Sequence, residues 1–150
     1  MIKKLTLDKL DEVMEIWLNT NIEDHNFINQ QYWINNFDLV KQMIPSAEVY
    51  IFQEDNIIKG FIGVIEKNYV AGLFIRKKYQ RQGIGQKLLD YCKYKYSLLT
   101  LDVFKRNKNA LSFYYKNNFH VIKKHFNEEL QELECTMCFN KKQSSVLEKV

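Results

Sequence analysis

Tyr69–Tyr96 reads Y-V-A-G-L-F-I-R-K-K-Y-Q-R-Q-G-I-G-Q-K-L-L-D-Y-C-K-Y-K-Y. An apolar, strand-like run (Tyr69 to Ile75) leads into a basic turn (Arg76 to Arg81), then two glycines (Gly83 and Gly85), then a helical pattern from Gln86 to Tyr96. Strand, glycine-containing loop and helix start together make an anion site. A backbone without Cβ lets a phosphate come close, and the first helical N–H groups, which have no intrahelical partner, point at it. Only three basic residues are Arg, and two of them, Arg76 and Arg81, fall in the turn, so the turn is not just a product of Lys-rich composition. The stretch reads as a grip on the pyrophosphate of a cofactor.

Two better-known phosphate loops do not match it. The P-loop needs a Lys-Ser/Thr pair after its second glycine, and no such sequence occurs. The dinucleotide fingerprint needs a third glycine, where Leu88 stands.

Upstream, Ile2 to Leu5 reads as a short strand. Asp8 is a candidate N-cap for a helix carrying Leu10, Val13, Met14, Trp17 and Leu18, which Asn19-Thr20-Asn21 is expected to end. A polar stretch through His25 to Ile28 precedes a second helix, Gln30 to Ile44, stopped by Pro45. Ala47 to Gln53, Ile57 to Glu66 and Tyr69 to Ile75 are joined by short polar turns and read as an antiparallel meander. Downstream come a strand (Leu98 to Phe104), a helix (Asn107 to Asn117) and two strands (Phe119 to Lys123, Glu134 to Phe139) linked by an acidic loop. The expectation is one domain over residues 1–140 and a polar tail over 141–150.

The 150 residues are 46% hydrophobic, 27% charged and 14% aromatic, values that fit a globular core and exclude a disordered chain. The net charge of +4 is scattered, which suits an anionic ligand but supplies no nucleic-acid stripe. The N-terminus has no continuous apolar run and carries Asp8, so no signal peptide or membrane span is expected. Three cysteines without a secretion signal point to reduced thiols in a cytoplasm.

Gln80-Arg81-Gln82-Gly83-Ile84-Gly85 matches, position by position, the [QR]-x-x-G-x-[GA] loop of the GCN5-related N-acetyltransferases, which this chain resembles. A second match lies downstream. Asn107, Ala110, Phe113, Tyr114, Lys116 and Phe119 fall on the family's N-x-x-A-x-x-F-Y-x-K-x-G-F block, with Asn118 in place of its glycine. Asn tolerates left-handed backbone best after Gly, so the departure is mild. The resemblance spans residues 2–139. More narrowly, Trp17-Leu18-x-Thr20 and His25-x-Phe27-Ile28 resemble small bacterial members that acetylate protein amines, and the heavy use of Lys, Asn and Ile fits a bacterial source.

The resemblance implies a mixed α/β fold: a twisted, mostly antiparallel sheet of six to seven strands with about four helices, splayed at the cofactor site. It also implies transfer of an acetyl group from acetyl-CoA to a primary amine, on a protein N-terminus or lysine, by direct attack in a ternary complex. Leu73, Phe74 and Ile75 would offer backbone groups to the pantetheine arm. Arg81, Gln82, Gly83, Ile84, Gly85 and Gln86 would wrap the pyrophosphate, and Asn107 would hydrogen-bond the arm. Tyr114 would protonate the departing thiolate, since a phenol of ordinary pKa about 10 is protonated at neutral pH. A polyamine or aminoglycoside-like acceptor, and a non-catalytic acyl-CoA-binding domain, stay open as alternatives. The partners implied are acetyl-CoA and an amine acceptor, with the chain a monomer or homodimer and neither nucleic acid nor membrane involved.

The proton acceptor is open. Tyr69 to Ile75 contains no carboxylate, leaving Glu66, Glu23, Asp24 and His25, and His25 with Phe27 is assigned to the acceptor side. No metal is expected. Cys135 and Cys138, three apart in a strand, point to opposite faces, and His120 and His125 lack zinc-ligand spacing.

Overall fold

The computed structural model describes residues 1–142; the tail expected over 141–150 lies outside them from residue 143 on. The chain forms two compact units, Met1–Cys92 and the residues from Lys93 on. Their described residues hold seven strands and four α-helices, the mixed α/β composition that the resemblance implies. No helix of the described residues is long and apolar enough to cross a membrane.

The first unit carries strands β1 (Ile2–Lys4), β2 (Glu48–Glu54), β3 (Ile57–Ile65) and β4 (Tyr69–Ile75), each antiparallel to the next. Asp55 and Asn56, at φ 53° and 62°, form the two-residue turn from β2 to β3, where a pair of positive φ values matches the twist of the flanking strands. Val49, Tyr50, Ile51 and Phe52 are all buried, so β2 is covered on both faces. Helix α1 (Leu10–Asp24) packs on β3 and β4 through a core that includes Val13, Met14, Ile16 and Trp17. Burying each such side chain stabilises the fold by about 1.5–3 kcal/mol.

Asn19-Thr20-Asn21 does not end α1. Asn21 is buried and donates its Nδ2 to the Trp17 carbonyl at 3.0 Å, while Thr20 is buried too. A polar side chain bonded back to the preceding turn serves the helix instead of competing with it, and α1 runs on to Asp24. Helix α2 (Gln30–Met43) starts at the Asn29 cap, whose Oδ1 accepts from Gln31 N at 2.8 Å. Trp33 is its one buried residue. The Trp33 ring meets Trp17 edge-on at 6.0 Å and stacks on His25 at 5.3 Å, and Phe27 closes on His25 at 5.8 Å. Desolvation in this aromatic cluster lowers the His25 pKa to about 4, against the opposing pull of a hydrogen bond to the Asn21 backbone. The imidazole is therefore neutral at neutral pH.

In the second unit, β5 (Leu98–Phe104), β6 (His120–Asn127) and β7 (Glu132–Asn140) stand in the order β5-β7-β6, all antiparallel, with α4 (Lys108–Lys116) between β5 and β6 in the chain. Leu99, Leu101 and Val103 of β5 are buried in alternation, and Cys135, Met137 and Phe139 of β7 are buried on the matching face, with Thr136 between them buried as well. The β6–β7 hairpin is longer than the expected acidic loop allows. Pairing continues to Asn127↔Glu132, where Asn127 Oδ1 accepts from Leu130 N at 3.0 Å and Gln131 takes φ 55°. A side chain closing the turn on itself lets the strands run to its edge.

Two measurements check this packing. Because His25 is held neutral, the unfolded chain binds a proton that the folded chain refuses. The stability His25 contributes is thus full above pH 6.5 and lost as pH falls toward about 4. Over that window the unaltered protein should lose up to about 1.4 kcal/mol per pH unit more than His25→Phe; equal slopes in denaturant titrations would contradict the assignment. At Gly60 of β3, an added Cβ would stand 2.6 Å from the Phe74 carbonyl oxygen of β4. Gly60→Ala should lower the unfolding free energy by about 1–3 kcal/mol through overpacking, and an unchanged denaturation midpoint would show that the strands yield freely.

Candidate active site

In the first unit, strand β4 and the loop that leaves it carry the residues assigned to the cofactor. Arg76 N–H donates to Lys59 O of β3 at 2.9 Å, and Phe61↔Phe74 and Ile62↔Leu73 are in register. Alternation along an antiparallel pair then turns the backbone groups of Phe74 toward β3, and those of Leu73 and Ile75 to the opposite edge. The expected trio thus divides. Leu73 and Ile75 present main-chain groups away from β3, while Phe74 contributes its ring, which lies over Gly72 and 5.0 Å from Phe61. Gln80 reaches back and donates its Nε2 to Ile75 O at 3.0 Å, tying the loop to the strand it leaves.

After a 3₁₀ turn (Lys77–Tyr79), Arg81 takes φ 64° and Gly83 φ 82°, and α3 (Ile84–Lys95) begins two residues earlier than its side-chain pattern suggests. The two glycines therefore do different things. Gly83 supplies the left-handed backbone, and its carbonyl accepts from Lys87 N at 3.0 Å as the first helical bond. Gly85 sits inside the first helical turn with ordinary φ. A Cβ on Gly83 would meet nothing within 4 Å, so the chain turns there beside open space. The N–H groups of Ile84, Gly85 and Gln86 head the helix, while Ile84, Leu88, Leu89 and Cys92 anchor its other face in the core. Arg81 and Gln82 are exposed. This is a cradle of main-chain donors and positive charge suited to a diphosphate.

His25 and Phe27, assigned to the acceptor side in the sequence reading, follow the C-terminal end of α1. His25 is the helix's C-cap, with its N–H donating to Asn21 O at 3.0 Å, and it belongs with Phe27 to the aromatic cluster. An imidazole held near pKa 4 is a poor proton acceptor. Glu23 and Asp24 lie in the last helical turn, where burial and the charge of Glu23 raise the Asp24 pKa against a hydrogen bond from Gln80 and the charge of Lys77. Glu66 takes φ 50° in the exposed turn between β3 and β4.

In the second unit, Asn107 is the N-cap of α4, its Oδ1 accepting from Ala110 N at 3.2 Å. At the other end, Asn118 adopts φ 67°, the left-handed conformation expected of the family's glycine position. Phe119 N–H donates to Tyr114 O at 3.0 Å and Asn118 N–H to Tyr115 O at 3.2 Å, a Schellman closure. These two caps fix Tyr114. Its ring is buried between Phe113 at 5.3 Å and Phe119 at 5.4 Å, and burial alone pushes its phenol well above the ordinary value. Such a phenol keeps its proton at neutral pH.

A group of residues with no motif of its own lies on β5, β6 and β7. Thr136 Oγ1 donates to Asp102 Oδ1, His125 Nε2 is 2.8 Å from Glu134 Oε2 and 4.0 Å from Asp102 Oδ1, and His125 Nδ1 is 3.5 Å from Thr136 Oγ1. The registers Asp102↔Thr136 and His125↔Glu134 bring them to one face, opposite that of Leu101, Val103, Met137 and Phe139. The one signal in the sequence is the polar Asp102 between two apolar strand residues; only strand pairing reveals its companions. Cys135 and Cys138 fall on opposite faces as expected, and both are free thiols.

Residues 21–132 match the model of an acetyltransferase (GNAT) domain. The chain is 30% identical over 132 residues to the peptidyl-lysine N-acetyltransferase YiaC of Escherichia coli K12, covering 87% of this chain and 90% of that protein. It is 26% identical over 121 residues to the peptidyl-lysine N-acetyltransferase YjaB of the same organism, covering 80% and 82%. The solution structure of apo YjaB from Escherichia coli superposes with a TM-score of 0.80 at 22% identity, over 93% of this chain and 96% of that one. On the domain match over residues 21–132 and the relative at 30% identity, the chain belongs to the GNAT acetyltransferase family and is an N-acetyltransferase.

Proposed function

We propose that this enzyme takes its acetyl group from acetyl-CoA and passes it to the side-chain amine of a protein lysine, by direct attack while both substrates are bound. Similarity to a relative named for peptidyl-lysine over most of both chains favours lysine as the acceptor. The observation that carries the chemistry is Tyr114, buried, held by caps at both ends of its helix, and protonated far past neutral pH.

In this reading the main-chain N–H groups from Arg81 to Gln86 hold the diphosphate, as the left-handed turn at Gly83 and the open space beside it favour. Leu73 and Ile75 offer the backbone groups on the β4 edge away from β3 to the pantetheine arm, and Phe74 supports that strand through its ring. The Asn107 side chain holds the start of α4 and is assigned to the arm as well. His25 and Phe27 stand on the acceptor side. The amine nitrogen attacks the thioester carbonyl, the carbon–sulfur bond breaks with its electron pair on sulfur, and the Tyr114 hydroxyl supplies the proton that turns thiolate into thiol.

Tyr114→Phe keeps the ring and removes the proton. Its turnover should fall at least about tenfold while acetyl-CoA affinity is retained; unchanged turnover would remove Tyr114 from the mechanism. Thiol release measured against lysine peptides, polyamines and aminoglycosides checks the acceptor. Lysine peptides should give the highest kcat/KM, and faster release with a polyamine or aminoglycoside would overturn that choice.

A further inference from the structure

In the order β5-β7-β6 the strand β6 is outermost among the described residues. An outer strand carries a row of unpaired N–H and C=O groups that can template another strand. The outer strand β1 is only three residues long, whereas β6 runs for eight. Pairing of β6 with β7 passes over Ile122, whose neighbours Val121 and Lys123 face Met137 and Thr136, so the even part of the edge begins after that bulge, at Lys123. Phe126, 52% exposed, shares a face with half-buried Leu133, its partner across the hairpin. Lys123, Lys124, Glu128 and Glu129 are all exposed, and none of them enters an ion pair among the described residues.

We propose that β6 pairs with β6 of a second copy of this chain, antiparallel about a two-fold axis through Phe126. The pairing stands apart from the acetyl-transfer reading and does not depend on it. Symmetry limits the registers. Across an antiparallel pair, opposed side chains lie on one face and hydrogen-bonded pairs alternate with non-bonded ones, so a two-fold axis normal to the sheet must set one residue against its own copy. An axis at Lys123 or at Lys124 sets like charges directly opposite, which destabilises the pair. The lysines thus block the registers that would bring most of β6 together, the usual service of lysine on an edge. An axis at His125 sets Lys123 against Asn127 and Glu128 against the bulged Ile122, and no ion pair forms.

At Phe126 the pattern becomes complementary. Phe126 meets its copy on the face that Leu133 shares, Lys124 comes opposite Glu128 of the other copy, Lys123 opposite Glu129, and His125 opposite Asn127. Each of the mixed pairs occurs twice. Glu128 and Glu129 follow directly on Asn127, the last strand residue, so the ion pairs close the two ends of the contact. Like charges exclude the neighbouring axes and unlike charges select this one. The paired length is short, so the dimer is expected to be weak, to grow with protein concentration and to loosen with salt.

Sedimentation velocity on the full chain, over a range of protein and salt concentrations, reads this directly. The parent should show a reversible monomer–dimer equilibrium that shifts toward monomer as salt rises. Lys124→Glu and Glu128→Lys, both at exposed positions, should each raise the dissociation constant at least about tenfold by turning two attractions into two repulsions. The double variant Lys124→Glu/Glu128→Lys should restore the dimer, because exchanging the two charges keeps that pair complementary. A parent that stays monomeric at every concentration overturns the proposal, and so does a dimer indifferent to either single reversal or one that the double variant fails to restore. Binding of a synthetic peptide of alternating Glu and Val to a monomeric parent would assign the edge to an acidic strand of another protein instead.

Discussion

The candidate site depends on one backbone constraint. Between the end of β4 and the first turn of α3 the chain must reverse with left-handed φ at Arg81 and at Gly83, and Gly83 does so beside open space. Only then do the leading N–H groups of α3 face outward while Ile84, Leu88, Leu89 and Cys92 face the core. Several anchors serve that turn. Gln80 ties it to Ile75, and Arg76 fixes its entry by donating Nε to Ile58 O at 2.8 Å and approaching Glu15 of α1 at 3.6 Å. A Cβ at Gly83 would find space, so its requirement is conformational. At Gly60 and Gly72 the requirement is steric, because neighbouring strand and ring occupy the place of the side chain.

Burial does the corresponding chemical work in two places, with opposite results. At Tyr114 it raises the pKa of an acid and so preserves a donor; at His25 it lowers the pKa of a base and so removes an acceptor. Both follow from disfavouring the charged form. The contrast explains why His25, attractive in the sequence for its proximity to Phe27 and Ile28, is better described as part of an aromatic cluster. A titratable cluster rich in hydrogen bonds lies instead on β5, β6 and β7, where His125 has both nitrogens near polar partners.

Much of this was legible in the sequence. Tyr69–Ile75 and Leu98–Phe104 run as strands over the residues their apolar patterns indicate, and Asn118 adopts the left-handed conformation that its place in the helix-ending block demands. What stayed hidden depended on contacts that no local pattern encodes. Asn21 looked like a helix stop, yet buried and bonded to Trp17 O it continues the helix to Asp24. The division of Leu73, Phe74 and Ile75 required the register with β3. Asp102, His125 and the Glu134/Thr136 pair lie on three different strands and meet because β7 lies between β5 and β6.

The proposed grip of the main chain from Gln82 to Gln86 on the diphosphate of the acetyl donor is open to direct measurement. Amide chemical-shift mapping during titration with coenzyme A reads it at single residues. The N–H signals of Gln82, Gly83, Ile84, Gly85 and Gln86 are expected to move most and to saturate together. Saturable binding that leaves those signals in place and moves others would contradict it.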